Sequence, residues 1–309
     1  MATSYNVEDL NSKLTNYLEA NRDELIAKTI FNNHASDHFN LMVGVKNPTA
    51  LISVDIKTPV KDGSDCGFNP DGEDVFSDRI ITPAALTVQK EFCTKTLLGS
   101  WKSKDISFTA GRETMPFEEF FMEKIAENIN AEVERLIMAG DTSASDPDPM
   151  EGLINLINDD IDDNIIPAAN VIAKGSDDIL TRCQKLWAAC DAETLKNAEI
   201  WMSVGMYKQL ILDIQNANNV NVYVVDGGEY TMTLPGTSTV IRGISSMPDS
   251  ADMIIMTDFE ANVTKSVDVE NATERLDVWY SKDDQVFKMN WFAYIGVNYA
   301  NPETIYVNE

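Results

Sequence analysis

Residues 116–142 read PFEEFFMEKIAENINAEVERLIMAGDT, and this stretch decides the fold. Phe117, Phe121, Ile125, Ile129, Val133 and Ile137 recur every four residues, with Phe120 and Leu136 widening the stripe, the pattern of a helix with one buried face. Thr114 is placed to cap the N-terminus and Pro116 stands in the first turn; Glu118 and Glu119 suit the helix dipole, and Gly140 is a stop. At 1.5 Å per residue the predicted helix, from about residue 116 to 139, spans roughly 35 Å. That length makes it a spine on which other elements hang.

Upstream of the spine, residues 49–57 alternate: Ile52, Val54 and Ile56 form one face, Ser53, Asp55 and Lys57 the other, and Leu51 breaks the pattern. Residues 61–78 hold Asp62-Gly63, Gly67, Asn69-Pro70 and Asp71-Gly72, the chemistry of a long exposed loop. Strand-like sequence resumes around Leu86, Val88 and Phe92, which predicts an extended β-hairpin with a long tip. Two strands alone are marginal in water, so such a hairpin needs a partner surface. Further upstream, Leu10, Leu14, Tyr17, Leu18, Leu25, Ile26, Ile30 and Phe31 recur at helical spacing as an amphipathic arm. It either packs on its own core or lies across a neighbouring subunit.

Downstream of Gly140, Asp141, Asp146, Asp148, Glu151, Asp159, Asp160, Asp162 and Asp163 occur without a Lys or Arg before Lys174, which marks a junction and an acidic surface. A second unit follows. Ser176 is read as the cap of a helix carrying Ile179, Leu180, Cys183, Leu186, Trp187 and Cys190 on one face. Residues 200–202 read as a buried strand, Ser203 as the next cap, and 206–214 as a helix. Short strands are expected at 222–225, 239–244 and 253–256. Phe287, Met289, Trp291, Ile295 and Val297 alternate with polar residues along a long strand, for which Val263, Val267 and Val269 supply an antiparallel mate. Helices and antiparallel sheet in separate layers make an α+β fold.

The 309 residues carry 24 basic and 50 acidic side chains, a net charge of −26 that disfavours electrostatic nucleic-acid binding. A hydrophobic fraction of 44% is enough for a sizeable core. The sequence holds no GxxxxGK[ST] loop, GxGxxG fingerprint, HExxH helix or GxSxG elbow. His34 and His38, spaced four apart, lack an obvious third ligand beyond Asp37, so they are read as polar side chains at a helix end. The acidic runs miss the calcium-loop spacing and are read as a solvated face. Cys66, Cys93, Cys183 and Cys190 form no zinc or disulfide pattern and are expected to be reduced and packed. The polar start, with no apolar run of roughly 18 residues anywhere, predicts a soluble, unexported protein without membrane contact. No catalytic residue, cofactor or metal is assigned.

Three segments then bear on family. Glu134-Arg135-Leu136-Ile137-Met138-Ala139-Gly140-Asp141-Thr142, followed by Pro149-Met150-Glu151-Gly152-Leu153-Ile154, looks like a helix end, a "G-D" turn and a "P-x-G-[IL]-[IL]" lead into a second domain. Ile200-Trp201-Met202-Ser203, leading to Tyr207 and Leu210, looks like a strand-then-helix element, and Met247-Pro248 through Asp258-Phe259 like a late "P…G-D-[FL]" segment, with Thr257 where glycine is frequent. In these segments and in its order of elements the chain resembles the major capsid protein of tailed bacteriophages, with the Hong Kong 97 capsid fold.

The resemblance implies an N-terminal arm at 1–42 and an extended loop at 43–110. It places the spine helix with the first part of a peripheral domain at 111–147, an α/β axial domain at 148–256, and return strands with the C-terminal strand at 257–309. Its assembly candidates are Phe117, Phe121, Ile125, Ile129, Val133, Gly140, Asp141, Gly152, Trp201, Pro248 and Asp258. It implies a self-assembling subunit that forms hexamers and pentamers of an icosahedral virion shell in the host cytoplasm. The shell encloses double-stranded DNA without reading its sequence, with scaffolding, portal and decoration proteins as partners; the scaffold is separate or already removed. Two alternatives stand beside it: an encapsulin-like compartment, and a carboxylate-dependent enzyme with a concave pocket.

Overall fold

Helix α1 (Phe117–Ala139) runs for 23 residues, as the apolar repeat predicts. The computed structural model describes residues 35–56, 74–93, 117–218, 230–268 and 276–309 except 282 and 285, together with 16, 17, 21, 24 and 25. Most of the arm, the loop tip at 57–73, Thr114, Pro116, His34, Cys66, Val269 and the strand expected at 222–225 lie outside them. On α1, Ile129, Val133, Leu136 and Ile137 are buried, and so are Met122 and Ala126, while Phe121 and Ile125 are half-buried. A strict four-residue repeat drifts about 40° per step against a 3.6-residue turn, so the earlier members of the stripe rotate to its edge.

The face of α1 packs on a five-stranded sheet. Its central strand β12 (Val286–Tyr299) pairs antiparallel along one edge with β4 (Ala84–Cys93). The other edge is shared in succession by β11 (Leu276–Ser281) and β10 (Val263–Val267), and β1 (Asn40–Val43) adds in parallel to β10. Phe287, Met289, Trp291, Ala293 and Ile295 of β12 all point into the core, as their period of two requires.

The hairpin differs from its sequence reading. β2 (Thr49–Ile56) pairs with β3 (Asp74–Ile81), in register from Thr49 opposite Ile81 to Ile56 opposite Asp74. Residues 74–78 are therefore strand, not loop, and residues 86–92 are not the hairpin's second strand but part of β4 in the main sheet. The cause is Thr82-Pro83: proline has no N–H for a ladder, so the chain turns there and starts a new strand at Ala84.

The second sheet has six strands in the order β5 (Val171–Ile172), β13 (Tyr306–Asn308), β9 (Ile254–Thr257), β6 (Glu199–Ser203), β8 (Val240–Ile244) and β7 (Thr231–Thr233). Both faces are covered. Ile200, Met202, Ile254, Met256 and Tyr306 pack with α3 (Ile179–Ala189) and α4 (Val204–Asn218). Their neighbours Trp201, Ile255 and Val307 point the other way, into the core that holds α1 and α2 (Leu153–Asp162). Ser203 caps α4 as expected, its Oγ accepting from the Met206 N–H at 3.2 Å. α3 is capped instead by Asp178, which accepts from the Thr181 N–H; Ser176 lies too far upstream of its first turn.

Ile137→Ala removes a side chain with no exposure and is expected to cost about 2–5 kcal/mol. Lys124→Ala on the opposite, exposed face is expected to stay within about 0.5 kcal/mol. Urea unfolding of the unassembled subunit checks both.

Candidate assembly site

Where α1 ends, two backbones cross at contact distance. The Gly152 N–H donates to the Gly140 carbonyl at 2.9 Å, and the Gly140 N–H to Leu136 at 3.0 Å. A Cβ on Gly152 would stand 2.4 Å from the Gly140 nitrogen, and one on Gly140 2.4 Å from the Met150 carbonyl oxygen. The spacing of the two glycines is thus a packing requirement: only hydrogen fits on either side. The turn between them is pinned from the helix. Arg135 forks onto Asp148 at 2.7 and 3.2 Å, and Asp148 also accepts from the Asp141 N–H at 3.1 Å. The Arg135 guanidinium holds the Asp148 carboxyl below the usual carboxylate range, against a smaller opposing push from burial.

Trp201 joins three segments. Its ring stacks on Phe259 at 3.7 Å between centroids and on Phe39 at 5.4 Å, and His38 meets its edge at 6.0 Å. Phe259 opens the short helix α5 (Phe259–Asn262), capped by Asp258, and Phe39 lies just before β1. The indole N–H donates to Glu199 at 3.0 Å, and Arg242 grips the same carboxylate at 2.7 and 2.9 Å. Burial pushes Glu199 up, but the hydrogen bonds from Arg242 and Trp201 outweigh it and hold the group below its ordinary value.

The base of the hairpin is two-faced. Leu51 and Arg79 stand opposite each other in register and face the body. Arg79 pairs with Asp160 at 2.6 Å and lies 4.2 Å over the Tyr299 ring, whose hydroxyl donates to Asp160. The alternate face carries Ile52, 70% exposed, and Ile80, 58% exposed. The residue that breaks the sequence alternation, Leu51, is the anchored one. Leu41 and Val43 on the outer strand β1 are exposed as well. A row of aliphatic side chains in solvent, on elements held firmly from behind, is what a contact with another polypeptide uses.

A cleft of about 620 Å³ opens beside the Trp201 stack, lined by His38, Asn197, Glu199, Asp258, Phe259, Glu260 and Ala261. Two of its carboxylates are poor candidates for acid–base work: Glu199 is held ionised by Arg242, and Asp258 accepts from the Ala261 N–H at 3.0 Å. Asp159, whose carboxyl burial and the charges of Glu151, Asp160, Asp163 and Asp162 push up, sits on α2 outside this cleft. Among the described residues no group of three or more His, Cys, Asp or Glu is placed to hold a metal ion, and no helix is long and apolar enough to cross a membrane. Burial pushes the Cys183 thiol up to about 12 and Cys190 up to about 11, which keeps both protonated.

The residues singled out in the sequence fall into four groups. Ile129 and Val133 are core, and Phe121 meets Phe92 of β4 edge to face at 4.9 Å beside half-buried Ile125. The Phe117 side chain lies outside what is described. Gly140, Asp141 and Gly152 come together at the crossing, and Trp201 and Asp258 meet around Phe259. Pro248 leads the short turn Asp249–Ala251, next to a cleft also lined by Arg135 and Ala139. The sequence reading missed the cations. Arg79, Arg182, Arg242 and Lys265 each pin distant segments; their only sequence signal is that basic residues are scarce in a chain of net charge −26.

No protein-family model and no curated protein matches the chain. Solved structures do. A chain of the procapsid of satellite phage P4, which includes the size determination protein, aligns with a TM-score of 0.62 at 11% identity over 98% of each chain. A chain from Microbacterium phage Oxtober96 aligns with a TM-score of 0.54 at 10% identity over 90% of this chain and 91% of that one. The encapsulin of Synechococcus elongatus aligns at 0.52 and 10% identity over 88% and 84%. The chain has the Hong Kong 97-type capsid fold.

Gly152→Ala drives a methyl into the backbone of residues 139–140 and is expected to cost about 3 kcal/mol, read by urea unfolding. Asp148 has its carboxyl lowered in the fold, so its contribution is present above the ordinary aspartate value of 3.8 and is lost as pH falls through the folded value. The Asp148 side chain is half-buried and its partner Arg135 is partly in solvent, which screens the pair, so Asp148→Asn is expected to remove about 1 kcal/mol or less at neutral pH and flatten that acid slope.

Proposed function

We propose that this chain is the major capsid subunit of a tailed bacteriophage, assembling with itself into hexamers and pentamers of an icosahedral shell around double-stranded DNA. The carrying observation is the fold match to a procapsid chain across 98% of both chains. The subunit's own physics supports it. Its two sheets and spine bury their apolar faces internally, while Ile52, Ile80, Leu41 and Val43 remain in solvent on the hairpin and the outer strand. In a closed shell each such contact repeats with every copy, so pairwise interactions of modest strength give cooperative assembly. The work is mechanical: Glu199, paired with Arg242, and Asp258, capping α5, lend the enzyme alternative no support. A net charge of −26 suits a wall that repels DNA and lets it slide during packing. Scaffolding, portal and decoration proteins are the partners such a shell requires, and the host cytoplasm is its place of assembly.

The encapsulin match keeps a second reading, a compartment around cargo protein, on the same fold. The contents of purified particles separate the two: nuclease-protected DNA supports the capsid, enclosed protein the compartment. Scattering or negative-stain imaging is expected to show particles tens of nanometres across, and a stable 34.4 kDa monomer that never forms capsomers would defeat both. Ile52→Lys, at a side chain already in water, is expected to leave subunit stability within about 0.5 kcal/mol and abolish particles. Replacing 57–73 by Asn-Gly, which closes β2 onto β3 with a two-residue turn, is expected to give a folded subunit that assembles poorly.

A further inference from the structure

Where the N-terminal segment meets the body, three elements meet in a buried polar cluster. The Ala35 N–H donates to the Glu134 carboxylate of α1 at 2.8 Å, and the Lys265 ammonium of β10 donates to the Ser36 hydroxyl at 2.9 Å. Ala35 has no exposure, Lys265 2%, Ser36 4% and Glu134 6%. Ser36–His38 is a single 3₁₀ turn that leads directly to Phe39 on the Trp201 ring and then to β1. These contacts therefore hold residues 35–39 on the body and steady the aromatic stack behind them.

We propose that Ala35, Ser36, Glu134 and Lys265 form a pH-responsive latch that decides whether residues 35–39 stay docked on the spine helix. Among the described residues, Asp37 from the turn and Glu134 from α1 bear on the lysine, both favouring the ammonium. β1 and β12, paired on its two sides, bring Leu41 and Val297 opposite it. Burial outweighs the two carboxylates and pushes Lys265 from 10.5 down to about 8. In an undocked state the amine returns to water and its ordinary value, so that state binds the proton more tightly between these limits. Raising the pH from about 8 toward 10.5 closes the latch; below about 8 the ammonium is present in both states and docking is at its weakest. The latch belongs to the single subunit, so it stands or falls apart from the shell reading.

The Ala35 amide reports the latch directly through hydrogen exchange, measured by mass spectrometry on the full-length subunit and corrected for intrinsic exchange at each pH. Protection of the peptide spanning 35–39 is expected to rise about 20-fold between about pH 7.5 and about pH 9.5, against no change for a peptide within α1. Lys265→Met is expected to abolish that rise and hold protection at the high-pH level. Glu134→Gln keeps an acceptor for the Ala35 N–H and removes a charge that favours the ammonium, so protection is expected to fall at about pH 7.5 and match wild type at about pH 9.5. A pH-independent wild type, a Lys265→Met variant that keeps the rise, or equal loss at both pH values in Glu134→Gln would each overturn the proposal.

Discussion

The six-stranded sheet has apolar side chains on both faces, and that constraint organises everything around it. Ile200 and Met202 point to the helices α3 and α4 while Trp201 between them points to the spine; Ile254 and Met256 do the same around Ile255, and Tyr306 beside Val307. A strand with one polar face would leave one of these two cores without a wall. Because the period is two, a shift of one residue would exchange the cores' linings, placing the Trp201 indole against α4. The C-terminal strand β13 sits between β5 and β9, so the last residues of the chain close a sheet built mostly from its middle.

Charge is used sparingly against this apolar frame. With 24 basic residues against 50 acidic ones, several of the cations sit at joins between segments far apart in sequence. Arg79 ties the hairpin to α2 and β12; Arg182, buried on α3, donates to Asp252 at 2.8 Å and also reaches Asn308 of β13. Arg242 steadies Glu199 beneath the Trp201 stack. Each pairs with a carboxylate in a partly dry site, where truncating one partner costs more than the pair contributes. Other acids among the described residues, such as Asp146, Asp162 and Asp163, stand exposed, where hydration carries their charge.

The hairpin shows how one fold makes a rigid subunit with an unfinished surface. Leu51 and Arg79 hold it from behind, and the side chains one position along, Ile52 and Ile80, face water. Nothing within the described part of the subunit covers them.

The sequence by itself determined the elements whose apolar period is long and regular. The spine helix ends where Gly140 ends it, β12 alternates over nine residues from Phe287 to Ile295, and Ser203 caps α4 because a short-range bond to the third residue on is sufficient. The glycines 140 and 152 were visible as a motif, yet only the fold shows that they touch. Tertiary structure alone decided the pairings. β2 chose β3 over the more apolar β4 because proline at 83 interrupts the chain and β12 offers β4 a ten-residue ladder. It also decided which face of the hairpin is inside, since a lone Leu51 outvotes Ile52 once Arg79 finds Asp160. Buried cations such as Lys265 and Arg182 leave no local trace, because their partners stand up to 229 residues away and only the folded chain brings them within reach.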